Sequence, residues 1–181
     1  KLRESDPDTS ILVTTTTPTG SDRVVATFGH EVLHFYAPYD LPRFVRSFIK
    51  RVNPRIGIIM ETELWPNLLH EAKRHQIPLL LANGRISDKS YEGYQRFPRI
   101  VKSTLRQFDH IAAQSKMDAD RFLALGAGGK ATQVCGSIKY DLELSAEVFE
   151  KGEQLRRTLG EGRAVFLAAS THKGEEIQVL K

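Results

Sequence analysis

At 181 residues, 40% hydrophobic and 27% charged, the chain can hold a real core, and no apolar run approaches the roughly 20 residues that span a bilayer. A net charge of +4 permits an anionic partner without demanding one. The single cysteine excludes an internal disulfide, and Cys135, inside the apolar run 132–135, reads as a buried, inert thiol.

Apolar runs alternate with amphipathic ones along the chain. Ile11-Leu12-Val13 reads as a strand, 21–28 as a short helix and 32–36 as a second strand. Positions 41, 44, 45, 48, 49 and 52 are apolar, the spacing of a helix. A third strand follows at 55–60, then a helix at 66–75 and a fourth strand at 79–82. Pro98 suits the first turn of a helix over 98–108. A fifth strand at 110–113 leads to a helix at 116–125, closed by Gly126 as a C-cap, and a sixth strand at 132–135. This alternation predicts an α/β fold, with parallel strands and helices on both faces.

The pattern then changes. Residues 146–159 read as a polar helix, Gly160-Glu161-Gly162 as a break and 164–169 as a new buried strand leading into a helix. The expected organisation is one domain over 1–141, a linker helix within 142–162 and the start of a second domain over 163–181. That last piece is too short to bury a core. With no initiating Met and no signal peptide, the sequence reads as the middle of a longer protein.

Chemistry is expected where strands end, because open parallel sheets bind ligands at the carboxyl ends of their strands. The densest such place is Met60-Glu61-Thr62-Glu63-Leu64-Trp65-Pro66-Asn67, with two carboxylates and the only Trp between a strand and a helix. The alternative for Glu63 is a carboxylate that complements the helix dipole. Thr17, Thr19, Gly20 and Ser21 follow the first strand. Hydroxyls and a helix N-terminus there could hold an anion or a sugar hydroxyl, or Thr19 or Ser21 could simply be an N-cap. Asn83 and Arg85 follow the fourth strand, with Arg85 suited to a phosphate or carboxylate, against a solvated Asn-Gly turn. Lys139 follows the sixth strand and could neutralise a departing phosphate, or be an ordinary surface charge. Ser170, Thr171, His172 and Glu175 open the last helix, either as a nucleotide-facing N-terminus or as its cap. Asp118 and Asp120 spell a metal-binding motif but sit in a helix's first turn, and the six histidines lack ligand spacing. Arg43, Arg46, Lys50 and Arg51 flank one apolar stripe, and Arg96, Arg99, Lys102 and Arg106 flank another. Each is a solvated basic face or a dock for anionic headgroups.

Taken in order, these motifs resemble the 3-deoxy-D-manno-octulosonic acid (Kdo) transferases of lipid A glycosylation in Gram-negative bacteria. The matching segments are 14–21, Tyr39-Asp40-Leu41-Pro42, 61–67, Ala112-Ala113-Gln114-Ser115, 136–141 and 169–176. Gly84 stands where that family commonly has Ala, and Ile138 where it commonly has Leu. The resemblance implies a Rossmann-like parallel sheet forming the N-terminal, acceptor half of a GT-B glycosyltransferase, with the start of the donor half behind it. It implies inverting, metal-independent transfer of Kdo from CMP-Kdo to a lipid A precursor, with no cofactor. Localisation would be the cytoplasmic face of the inner membrane, against an anionic surface and with no nucleic-acid partner. It makes Glu61 and Lys139 catalytic, as stabilisers of the transition state. Thr17, Thr19, Gly20, Ser21, Glu63, Asn83 and Arg85 become acceptor-binding, and Ser170, Thr171, His172 and Glu175 donor-binding. The general base, a Glu in a Gly-Glu motif, is expected upstream of the first strand, so this chain alone is expected to be inactive. Two alternatives remain: a non-catalytic lipid A or membrane-binding module, and another GT-B enzyme such as a nucleotide-sugar epimerase. The motif 61–67 argues against the latter.

Overall fold

The computed structural model of the chain describes residues 6–141, 145–160 and 162–179. It forms two compact units, Lys1–Tyr140 and Asp141–Lys181. The first unit runs β1 (Leu12–Thr15), α1 (Pro18–Phe28), β2 (Leu33–Tyr36), α2 (Pro42–Val52), β3 (Gly57–Met60), α3 (Pro66–Arg74) and β4 (Leu79–Gly84). It continues with α4 (Asp88–Gln95), α5 (Pro98–Leu105), β5 (His110–Ala113), α6 (Lys116–Ala124), β6 (Thr132–Val134) and a 3-10 turn, Ile138–Tyr140. Every strand pairing is parallel, with helices on both sides of the sheets, as the alternating pattern predicts.

Hydrogen bonding corrects one expectation. The strands form two sheets, β1-β2 and β3-β4-β5-β6, rather than one. Within each sheet, strands consecutive in the chain are neighbours in space. No described strand of one sheet pairs with a strand of the other. Helices connect them instead: α2 follows β2 and packs along α3, which follows β3.

The core lies under the larger sheet. Val45 and Ile49 of α2, Leu69 of α3, Leu81 of β4, Leu105 of α5, Ile111 of β5 and Phe122 of α6 are all buried. Among the described residues nothing before Val45 is buried. Packing at the end of β4 is tight. A Cβ placed on Gly84 would stand 3.0 Å from the fully buried ring of Phe122, which is why a residue without one fits here.

Local chemistry moves several boundaries. α1 begins at Pro18 rather than at position 21, because Thr17 is its N-cap and accepts from the Gly20 N–H at 3.1 Å, with proline at N1. Neither Thr19 nor Ser21 is the cap. Gly126 takes φ +97° just past α6, the expected C-terminal stop. Helix α4 was not expected from apolar spacing. Its Ser87 N-cap accepts from Ser90 N–H, and Arg121 of α6 ties it down by an ion pair to Asp88. Cys135 is exposed rather than buried, because it follows the outermost strand, β6, which has no neighbour beyond it.

The second unit holds α7 (Ala146–Leu159) and α8 (Glu175–Val179). The strand expected at 164–169 does not form. No described strand in this unit offers it a partner, and Phe166 and Leu167 are exposed. Residues 142–144, at the expected start of the linker, lie outside the described residues. No described helix is long and apolar enough to cross a membrane.

Candidate functional site

The ends of β3 to β6 lie side by side, because parallel strands bring every carboxyl end to one edge. The Glu61 N–H donates to the Ala82 carbonyl at 2.9 Å, that of Gln114 to Gly84 at 2.8 Å and that of Cys135 to Ala113 at 2.9 Å. This ladder sets Glu61, Asn83, Gln114 and the Gly136–Tyr140 segment along one rim.

Two residues of the rim carry unusual backbone. Glu61 has φ +58° and Asn83 φ +55°. Asn tolerates this left-handed region, but a Glu there is strained. Such strain persists only where the surroundings over-determine it, and it clusters at functional positions. Glu61 is exposed with its carboxylate free to meet a ligand, and Glu63 is exposed while accepting from Trp65 Nε1 at 3.1 Å.

Side chains lace the strand ends together. Thr62 Oγ1 donates to the Arg85 carbonyl and accepts from the Arg85 N–H at 3.1 Å. Tyr94 Oη donates to the Thr62 carbonyl at 3.5 Å, and burial pushes its hydroxyl pKa above the ordinary 10.0. Asn83 is largely buried. Its Oδ1 accepts from the Ile138 N–H at 3.2 Å, and its carbonyl from Gln114 Nε2 at 3.1 Å. Through Oδ1, Asn83 therefore acts on the turn that carries Lys139, itself exposed. The partners are 55 residues apart, so no local pattern signals this.

Thr17, Thr19, Gly20 and Ser21 stand at the end of the other sheet, in the first turn of α1. Thr15 Oγ1 and His34 Nε2, 3.0 Å apart, join the two strands beside them. Sequence reading did not single out Asp40 on its own, yet its carboxylate holds the first turn of α3. Asp118 is buried as an acceptor for Ile86 N–H at 2.8 Å and Ser115 Oγ at 2.5 Å, while Asp120 pairs with Lys116. These contacts account for both carboxylates without a ligand.

In the second unit, Thr171 Oγ1 donates to Glu176 at 3.0 Å and the His172 N–H to Glu175 at 2.8 Å. Backbone and Thr171 hydrogen bonds hold the Glu176 carboxyl below its ordinary 4.5. Ser170 has φ +60° and caps no helix, since α8 starts only at Glu175. The four expected donor-side residues thus form one local turn.

Residues 1–142 match the family model described as 3-deoxy-D-manno-octulosonic-acid transferase (kdotransferase). The chain is 41% identical over all its 181 residues to the 3-deoxy-D-manno-octulosonic acid transferase of Haemophilus influenzae, and covers 42% of that protein. It is 32% identical over 176 residues to the Bordetella pertussis enzyme of the same name, covering 94% of this chain and 40% of that one. A bifunctional glycosyltransferase/methyltransferase of Fusobacterium nucleatum is 30% identical over 174 residues, 94% of this chain and 27% of that protein. Among solved structures, one described as a UDP-N-acetylglucosamine 2-epimerase of Listeria monocytogenes matches 83% of this chain and 45% of its own, with TM-score 0.52 and 16% identity. That likeness speaks for the fold alone. The chain therefore spans less than half the length of these relatives.

Proposed function

The chain belongs to the 3-deoxy-D-manno-octulosonic acid transferase family, and from that premise we propose that the complete protein transfers Kdo from CMP-Kdo to a lipid A precursor. In this reading the first unit is the acceptor half of a GT-B enzyme, and the second unit opens the donor half. Inverting transfer needs a base on the acceptor hydroxyl, opposite the departing CMP. Positive character grows on the sugar as the bond breaks, and negative charge grows on the leaving phosphate. Fixed charges aimed at those centres lower the barrier. Glu61 suits the first and Lys139 the second, with no metal or cofactor required. Thr17, Thr19, Gly20, Ser21, Glu63, Asn83 and Arg85 are left to meet the acceptor. Ser170, Thr171, His172 and Glu175 belong to the donor side.

The observation that carries this reading is the strained, exposed Glu61 at the end of β3, on the rim where Asn83 holds the Lys139 turn. In the complete enzyme, Glu61→Ala and Lys139→Ala should each lower kcat by ~10²-fold or more, the scale of one lost preorganised contact. Near-normal turnover in either variant removes that residue from the chemistry.

An anionic lipid acceptor also requires the protein to meet a membrane, at the cytoplasmic face of the inner membrane in this reading. Exposed Leu41 and Phe44 beside Arg43 on α2, and exposed Phe97 and Ile100 beside Arg96 and Arg99 on α5, support such a contact.

A further inference from the structure

Asp40 lies between β2 and α2 and reaches far along the chain. Its Oδ1 accepts from the Leu68 N–H at 2.8 Å, and its Oδ2 from the Asn67 N–H at 3.1 Å. Asn67 Nδ2 donates to the same Oδ2 at 3.3 Å and to the Asp40 carbonyl at 2.7 Å. The two backbone N–H groups belong to the first turn of α3, where a helix supplies no acceptors of its own. Trp65, the N-cap of α3, makes no side-chain cap. Asp40 therefore caps α3 from 27 residues away, and its charge suits the positive end of the helix dipole.

What hangs on that turn gives the contact its weight. The segment from Glu61 to Trp65 runs straight into it, with Glu63 bonded to Trp65. Asp40 itself follows β2, in the sheet whose other strand leads to Thr17 and Gly20. Among the described residues no backbone ladder joins the two sheets. We propose that Asp40 is the positioning residue that sets the Thr17–Ser21 half of the candidate site against the Glu61–Trp65 half. Only the treatment of those halves as one site rests on the function proposed above; the latch itself is geometry.

Trp65 is the sole tryptophan, so the fluorescence of this chain reads the segment directly. The comparison is Asp40→Ala against Arg46→Ala. Arg46 joins α2 to α3 further along, through Glu71 at 3.0 Å, so its loss loosens the same helix pair without touching the first turn. Asp40→Ala should move Trp65 emission to longer wavelength and raise its quenching by acrylamide. Arg46→Ala should lower the melting temperature and leave Trp65 unmoved. Unchanged emission and quenching in a folded Asp40→Ala protein overturns the proposal, as does an equal shift in Arg46→Ala. Should Asp40→Ala not fold, Asn67→Ala decides: it removes only the side-chain donors and should shift Trp65 in the same direction by less. In the complete enzyme, Asp40→Ala should lower kcat/KM by up to ~10²-fold, the scale of misplaced reacting groups, with Arg46→Ala close to wild type. Near-normal turnover of the Glu61→Ala enzyme sinks the functional reading but leaves the Trp65 result standing.

Discussion

Glu71 is a carboxylate almost wholly inside the protein, between two helices, with Arg46, Arg74 and His75 beside it. Burial pushes its pKa up. The hydrogen bond from Arg46 and the charges of Arg74, Arg46 and His75 outweigh that and hold it below the ordinary 4.5. A group whose folded pKa is lowered lends stability above its unfolded value and loses it as pH falls through the folded one. Asp109, hydrogen-bonded by Lys73 and by the Leu79 N–H, is lowered below 3.8 in the same sense. Thermal melts should therefore show stability falling as pH drops below about 4.5. Glu71→Gln should be less stable than wild type at pH 7 and lose less on acidification; a parallel pH profile would count against the ion cluster. At this scale the sequence was informative where a residue's role follows from its own segment. Glu61 could be placed because an apolar strand precedes it and a Pro-led helix follows. The contacts that Asn83 and Asp40 make could not be read, since their partners lie 55 and 27 residues away.

Among elements, α2 repays attention for what its two faces do. Val45 and Ile49 enter the core, and Leu41 and Phe44 stay exposed near Arg43, Lys50 and Arg51. Of the basic residues read from the pattern, Arg46 is committed to Glu71 instead. Each remaining basic residue near an anionic surface contributes about 1 kcal/mol. Vesicle sedimentation should find the chain on anionic but not neutral vesicles. Replacing Arg43, Lys50 and Arg51 with Ser should weaken it, as should salt, which screens the field within about 10 Å at 0.1 M. Indifference to anionic vesicles at low salt would make these faces ordinary solvated surface. Long amphipathic helices and apolar strands were legible because their periodicity is their cause. Helix α4 was not, because its polar sequence is held by Ser87 and Arg121 rather than by an apolar stripe. The run 164–169 was apolar enough for a strand, but a strand also needs a neighbour that no segment pattern can supply.

For the whole molecule, the sequence pattern was enough for the parallel α/β class and not for the division into two sheets. Which edges bond is decided between strands, not within them. The chain covers 42% of its Haemophilus influenzae relative, and Thr171, His172 and Glu175 are engaged in a local turn. The purified chain should therefore show no Kdo transfer from CMP-Kdo, since loss of donor positioning removes many orders of magnitude; measurable turnover would contradict this. The division of the sheet has a temporal side as well. With the core beginning only at Val45, β1, α1 and β2 have few buried contacts to break when they open. Segments of that kind open locally at a small fraction of the global free energy. Amide hydrogens of Val13 to Thr15 should exchange with solvent deuterium well before those of Leu79 to Leu81 in β4, and equal protection would refute it. The sheet end bearing Thr17 and Gly20 would then be assembled only part of the time, and a ligand that bridged it to the Glu61 rim would register first as a slowing of exchange there.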